Sequence, residues 1–157
     1  MVTGAESRDS IVRAIRQWVA TLPRGSAEVT EEALAHETVL TIKPSNPRAS
    51  PIEFRVSDYG TFGLYFGKGF AFEEIPASVD HVLDICDSIR RGRLQERVWE
   101  WRGRVVKTEG VLELSRGRLT DRGTRHWAAL LGLGTPRLIQ YEPWDLPAGD
   151  RNAVCQR

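Results

Sequence analysis

Ile52-Glu53-Phe54-Arg55-Val56-Ser57-Asp58-Tyr59-Gly60-Thr61-Phe62-Gly63-Leu64-Tyr65-Phe66-Gly67-Lys68-Gly69-Phe70-Ala71-Phe72 is the stretch that decides the fold class. Ile52, Phe54 and Val56 alternate with Glu53, Arg55 and Ser57, a period of two that puts the apolar trio on one face of a strand. The turn-forming residues Ser57 to Gly60 follow, and Phe62, Leu64 and Phe66 then repeat the pattern. Gly67-Lys68-Gly69 interrupts the run before Phe70 and Phe72 resume it. All five phenylalanines of the chain lie here, which predicts an antiparallel meander with one aromatic face buried.

On the N-terminal side of the meander, Ile11, Ile15, Trp18, Val19 and Leu22 fall on one helical stripe that Pro23 and Gly25 end. Residues 27–37 fit either a strand or a short helical turn, and Val39, Leu40 and Ile42 read as a strand. The loop from Pro44 to Pro51 is rich in proline and irregular. On the C-terminal side, Pro76 suits the first turn of a second helix striped by Val79, Val82, Leu83, Cys86 and Ile89. Arg90-Arg91-Gly92 stops it. Leu94 to Leu114 reads as a hairpin turning at Arg102-Gly103. Thr120 or Asp121 caps an expected third helix carrying Trp127, Leu130 and Leu131, and Arg137 to Glu142 forms a last strand before a polar tail from about 145. The expectation is one α+β domain over residues 1–157. It has an antiparallel sheet of about six to seven strands and three helices, in the order α-β-β-β-β-α-β-β-α-β.

Composition narrows function by exclusion. A chain of 157 residues with 41% hydrophobic and 27% charged content can build a core without disulfide or metal help. Its formal net charge is +1, so no global positive field favours nucleic acid. No run approaches the roughly 20 apolar residues of a membrane span. The first nine residues hold no apolar segment of a secretory leader, and Cys86 and Cys155 have no motif spacing. Both observations predict a cytoplasmic protein with reduced thiols and no membrane association.

Motifs are few. Gly67-Lys68-Gly69 lacks the spacer, the following Ser or Thr and the helix of a phosphate loop, and reads as a turn. Asp80, His81 and Asp84 share the polar side of the second helix, but no further His or Cys stands at ligand spacing, so neither metal nor cofactor is expected. No nucleophile elbow and no Cys/His signature is present.

Three surfaces remain. With the second hairpin symmetric about Arg102-Gly103, Trp99 and Trp101 join Val106, Leu112 and Leu114 on the core side. Glu96, Glu100, Lys107, Glu109 and Glu113 then face outward. This register sets Glu96 against Glu109, a like-charge pair that calls either for a bulge or for a basic partner. In the meander, Gly63, Tyr65 and Gly67 form the outer face, with Lys68 at the rim of a possible shallow groove. The one basic cluster is Arg116, Arg118, Arg122, Arg125 and His126. Within it, Leu119-Thr120-Asp121-Arg122-Gly123 resembles the wing-to-helix junction of winged-helix DNA-binding proteins over about a dozen residues, without the preceding recognition helix. That resemblance implies nucleic-acid binding through Arg116, Arg118, Arg122 and Arg125.

The expectation ranked first is a non-enzymatic domain that binds a protein partner through Tyr65, Lys68, Glu96, Glu100, Lys107 and Glu109. Bacterial immunity proteins and secretion chaperones have this size and mix of elements, an analogy of architecture alone. The second is a small enzyme or ligand binder with a pocket over Gly63, Tyr65 and Gly67. Nucleic-acid binding by the arginine cluster comes third.

Overall fold

The computed structural model describes residues 4–59, 61–74 and 78–145. Helix α1 (Gly4–Ala20) leads into five consecutive strands: β1 (Ala27–Ala33), β2 (Glu37–Pro44), β3 (Ile52–Ser57), β4 (Phe62–Phe66) and β5 (Phe70–Glu74). They pair antiparallel in sequence order. Helix α2 (Val79–Arg90) precedes β6 (Leu94–Trp101), β7 (Arg104–Leu114), β8 (Gly117–Thr124), a short 3₁₀ turn (Trp127–Ala129) and β9 (Thr135–Gln140). These last four strands make a second antiparallel sheet in the order β8-β7-β6-β9. Pro76, Cys155 and the polar tail lie outside the described residues.

The period-two pattern of the meander forms as its residues require. Ile52, Phe54, Val56, Phe62, Leu64, Phe66 and Phe70 are all buried, and their partners in register are Ile52–Phe66, Phe54–Leu64 and Val56–Phe62. Onto this face pack Ile11, Val12, Ile15 and Trp18 of α1, with Val82, Ile85, Cys86 and Ile89 of α2. Leu94, Leu112 and Leu114 of the second sheet join the same core.

Several expectations are corrected. Among the described residues there are two sheets of five and four strands rather than one, and two helices rather than three. Residues 117–124, read as the approach to a third helix, are strand β8, hydrogen-bonded along β7 from Leu114–Gly117 to Lys107–Thr124. The helical spacing of Trp127, Leu130 and Leu131 yields only the 3₁₀ turn, because Gly132 and Gly134, at φ +68° and +124°, end it within one turn. Leu119 to Gly123 therefore sit in a strand, which removes the helix that the winged-helix resemblance required. Trp144, read as the entry to a polar tail, is also core. Its ring meets Trp18 edge-on at 5.8 Å, and its Nε1–H donates to the Ser50 carbonyl at 3.1 Å.

The sheets are joined by a buried carboxylate. Glu96 of β6 is 1% exposed. Its Oε2 accepts the Lys68 N–H and the Tyr141 hydroxyl, both at 2.7 Å, and its Oε1 accepts the Gly69 N–H at 3.2 Å. Those donors replace the water the carboxylate loses on burial. Gly67 makes the seat possible. It sits at φ +63°, and a Cβ there would fall 2.6 Å from the Glu96 Cδ. Beside it, Gly110 leaves the space that the Phe70 ring fills from the first sheet. The Gly67-Lys68-Gly69 turn is thus a plug set into the second sheet.

Candidate functional site

The face of the second sheet turned away from this junction is shaped by a β-bulge. Arg104–Trp101 and Val105–Glu100 pair as a symmetric hairpin requires, but Trp99 then pairs with Lys107, leaving Val106 as the extra residue. Because the extra residue is in β7, the shift moves the residues of β6, Trp99 and Trp101 among them, to the opposite face from the one expected. Val98 is fully buried, Trp99 is half-buried, and Glu96 lies opposite Gly110 instead of Glu109. The bulge also turns Val106 to the side of Trp99 and Lys107, since Val106 Cγ2 and Trp99 Cβ lie 3.1 and 3.2 Å from the one Cβ position buildable on Gly134.

What the outer face carries follows from the ladder. From β6 and β7 come Arg97, Trp99, Trp101, Arg104, Lys107, Glu109 and Glu113. From β8 come Arg118 and Arg122, paired in register with Glu113 and Glu109. From β9 come Pro136 and Leu138, opposite Trp99 and Arg97. Cations stack on the indoles: Lys107 Nζ lies 4.3 Å and the Arg97 guanidinium 5.9 Å from the Trp99 ring, and Arg102 lies 4.5 Å from Trp101. Among the described residues of this face, Arg97, Arg102, Arg104, Lys107, Arg118 and Arg122 thus stand against Glu109 and Glu113. Lys107 donates to Glu109 at 2.8 Å and holds its carboxyl below the usual range, with Arg122 and Arg97 adding to the effect.

The segment from β8 to β9 crosses this face. His126 caps the 3₁₀ turn, its Nδ1 accepting the Ala128 N–H at 3.2 Å, while Ala128 is buried. Trp101, His126 and Trp127 cluster with centroids 5.2–6.1 Å apart. Under them Trp101, Arg102, Arg104, Val106 and His126 line a recess of about 310 Å³. In the same segment Trp127, Leu130 and Leu131 are 56%, 79% and 66% exposed, and Leu138 of β9 is 64% exposed. Sequence reasoning assigned three of these four to a third helix. For the hairpin register, the signal of the error was the Glu96–Glu109 clash of the symmetric pairing, which the bulge resolves.

The other expected site residues are dispersed. Glu96 is in the core and Glu100 leaves the face to bind Arg137 at 3.0 Å, so the outward acidic stripe does not exist and the face is basic. The groove over the meander is filled. Tyr65 Cε2 lies 3.1 Å from a Cβ position on Gly63, Glu96 occupies the space over Gly67, and the Arg55 guanidinium lies 5.6 Å from the Tyr65 ring centroid. Lys68 is exposed and gives its backbone N–H to Glu96. The arginine cluster divides: Arg118 and Arg122 reach the outer face, Arg116 is in the β7–β8 turn, and Arg125 lies against Gly69 at the junction. On α2, Asp84 accepts the Ser115 N–H and hydroxyl, and His81 rests on Phe72. Burial raises the Cys86 thiol well above its ordinary pKa and leaves it unreactive. Among the described residues no helix is long and apolar enough to cross a membrane.

No family model, curated protein or solved structure matches the chain.

Proposed function

We propose that the protein is a non-enzymatic binding module that takes an acidic, partly apolar segment of a partner protein on the outer face of its second sheet. The observation that carries this is the joint display of six cationic side chains against two carboxylates, beside Trp127, Leu130, Leu131 and Leu138. Exposed large apolar residues grouped on one face of a folded domain mark contact with another macromolecule. The sign of the face selects an acidic partner. The three aliphatic side chains favour protein over nucleic acid, whose phosphates and base rings offer leucine little to pack on. Trp101 and Trp127, large and semi-rigid, are the expected anchors.

Selection of a random dodecapeptide display library on the purified protein tests this. Peptides enriched in Asp and Glu together with Leu, Ile or Phe are expected. Their binding should weaken at least about fivefold between 0.1 and 0.5 M salt. Trp127→Ala should weaken it about tenfold or more, with the melting temperature near wild type. Enrichment of basic peptides, or none, overturns the proposal. An oligothymidylate that displaces the selected peptides and binds more tightly would shift the assignment to single-stranded nucleic acid.

A further inference from the structure

The second sheet has a free edge beside this face. Among the described residues no strand pairs with the outer side of β9. The Tyr141 N–H donates to the Leu94 carbonyl at 3.1 Å, so residues 141, 139, 137 and 135 direct their backbone groups to β6. Pro136, Leu138 and Gln140 therefore turn theirs to the open side. Pro136 fits this parity, since the N–H it lacks is one β6 would not receive. The open groups are the N–H of Leu138 and Gln140 and the carbonyls of Pro136, Leu138 and Gln140.

The remaining sheet edges are defended. β1 carries Glu28, Glu31 and Glu32 along an exposed strand, and charges of one sign on an edge oppose further pairing. β5 and β8 approach each other, with the Ala71 N–H donating to Asp121 of β8 at 3.1 Å. On β9 the side chain beside the open N–H is the exposed Leu138, and the neighbouring strand presents Arg97 stacked on Trp99.

We infer that the partner's acidic segment binds as an added strand on the open edge of β9, with alternate side chains covering Leu138 and reaching the cations of the outer face. The mode rests on the binding face proposed above and adds its geometry. In strand addition, backbone hydrogen bonds hold the segment while one set of alternating side chains reads the sheet face. A segment whose every second residue, the set that reads the face, includes both Glu or Asp and aliphatic side chains matches both parts. A second copy of this chain does not, since pairing β9 with itself would bring two cationic faces side by side.

The probe is a synthetic octapeptide with Glu and Leu in turn at every second position and Thr between them, titrated by tryptophan fluorescence. Controls are its Lys counterpart and a version N-methylated at alternate residues. Leu138→Pro deletes an N–H that faces away from β6, so the ladder to β6 is kept. It is expected to weaken binding at least tenfold, and Leu138→Ala about two- to threefold. N-methylation of the probe should match the proline variant. On the wild-type protein, the Leu138 and Gln140 amides should gain hydrogen-exchange protection when the probe binds, a readout that does not depend on a variant folding. Unprotected amides, with Leu138→Pro binding as wild type does, overturn the added strand. If Arg97→Glu/Arg122→Glu abolishes binding in that case, the face itself still stands. Loss of neither, or tighter binding of the Lys peptide, removes both. A wild-type dimer in light scattering that Leu138→Pro converts to monomer would make a second copy the occupant and overturn the acidic-partner assignment.

Discussion

Glu96 shows how much one residue's meaning depends on its register. Read outward, it was a surface charge; in place, it is a buried carboxylate with three donors from two distant segments. Removing it strands the Lys68 and Gly69 N–H groups at the junction. Glu96→Ala should therefore cost at least about 2 kcal/mol in equilibrium denaturation, and Tyr141→Phe about 1–2 kcal/mol. Gly67→Ala should also destabilise by about 2 kcal/mol or more, because it combines a left-handed backbone with a collision on the same carboxylate. If Glu96→Ala melts with the wild type, the carboxylate is not the link between the sheets. The Tyr141 hydroxyl is pushed up first by burial and then by Glu96, so it stays protonated and donating across the accessible pH range.

At the scale of the element, the β6–β7 hairpin is decided by one extra residue. Val106 shifts the register, sends Val98 inward and leaves Trp99 and Trp101 among cations. Val98→Ala should cost about 2 kcal/mol through lost burial, whereas Trp99→Ala should cost about 1 kcal/mol, the worth of a half-buried indole stacked with Lys107 and Arg97. Denaturant titration of the pair checks this; a costlier Trp99→Ala would restore the symmetric register. Deleting Val106 is the complementary experiment. It would remove the bulge, return the large indoles to the core side and cost far more than either truncation.

In the whole molecule, both helices and both sheets share one core, and the surface ion pairs set how stability responds to acid. Arg8 holds Asp58, Arg16 holds Glu31 and Lys107 holds Glu109 below the usual carboxylate range, each first through a hydrogen bond. A carboxyl depressed in the folded state binds fewer protons there than in the unfolded chain. Its contribution is thus full above the unfolded pKa of about 4 and is lost as pH falls through the folded value. Stability should fall below about pH 4, and the gap between wild type and Arg16→Gln should narrow there, as followed by urea titrations from pH 7 to 2.5. A gap that widens in acid would contradict the Glu31 assignment. What the sequence alone determined was the aromatic meander, the apolar stripes of the two helices and the α+β class. Each of these is a local periodicity that a strand or helix must bury on one side. The division into two sheets, the bulge at Val106, the burial of Glu96 and the basic sign of the outer face were decided by tertiary structure. They depend on which strand lies beside which, and a one-residue shift in pairing exchanges the faces of a strand without altering its pattern. The same holds for Trp127, Leu130 and Leu131. Their helical spacing is real, but Gly132 and Gly134 and the crossing from one sheet edge to the other leave that stripe no helix to form and no core to meet.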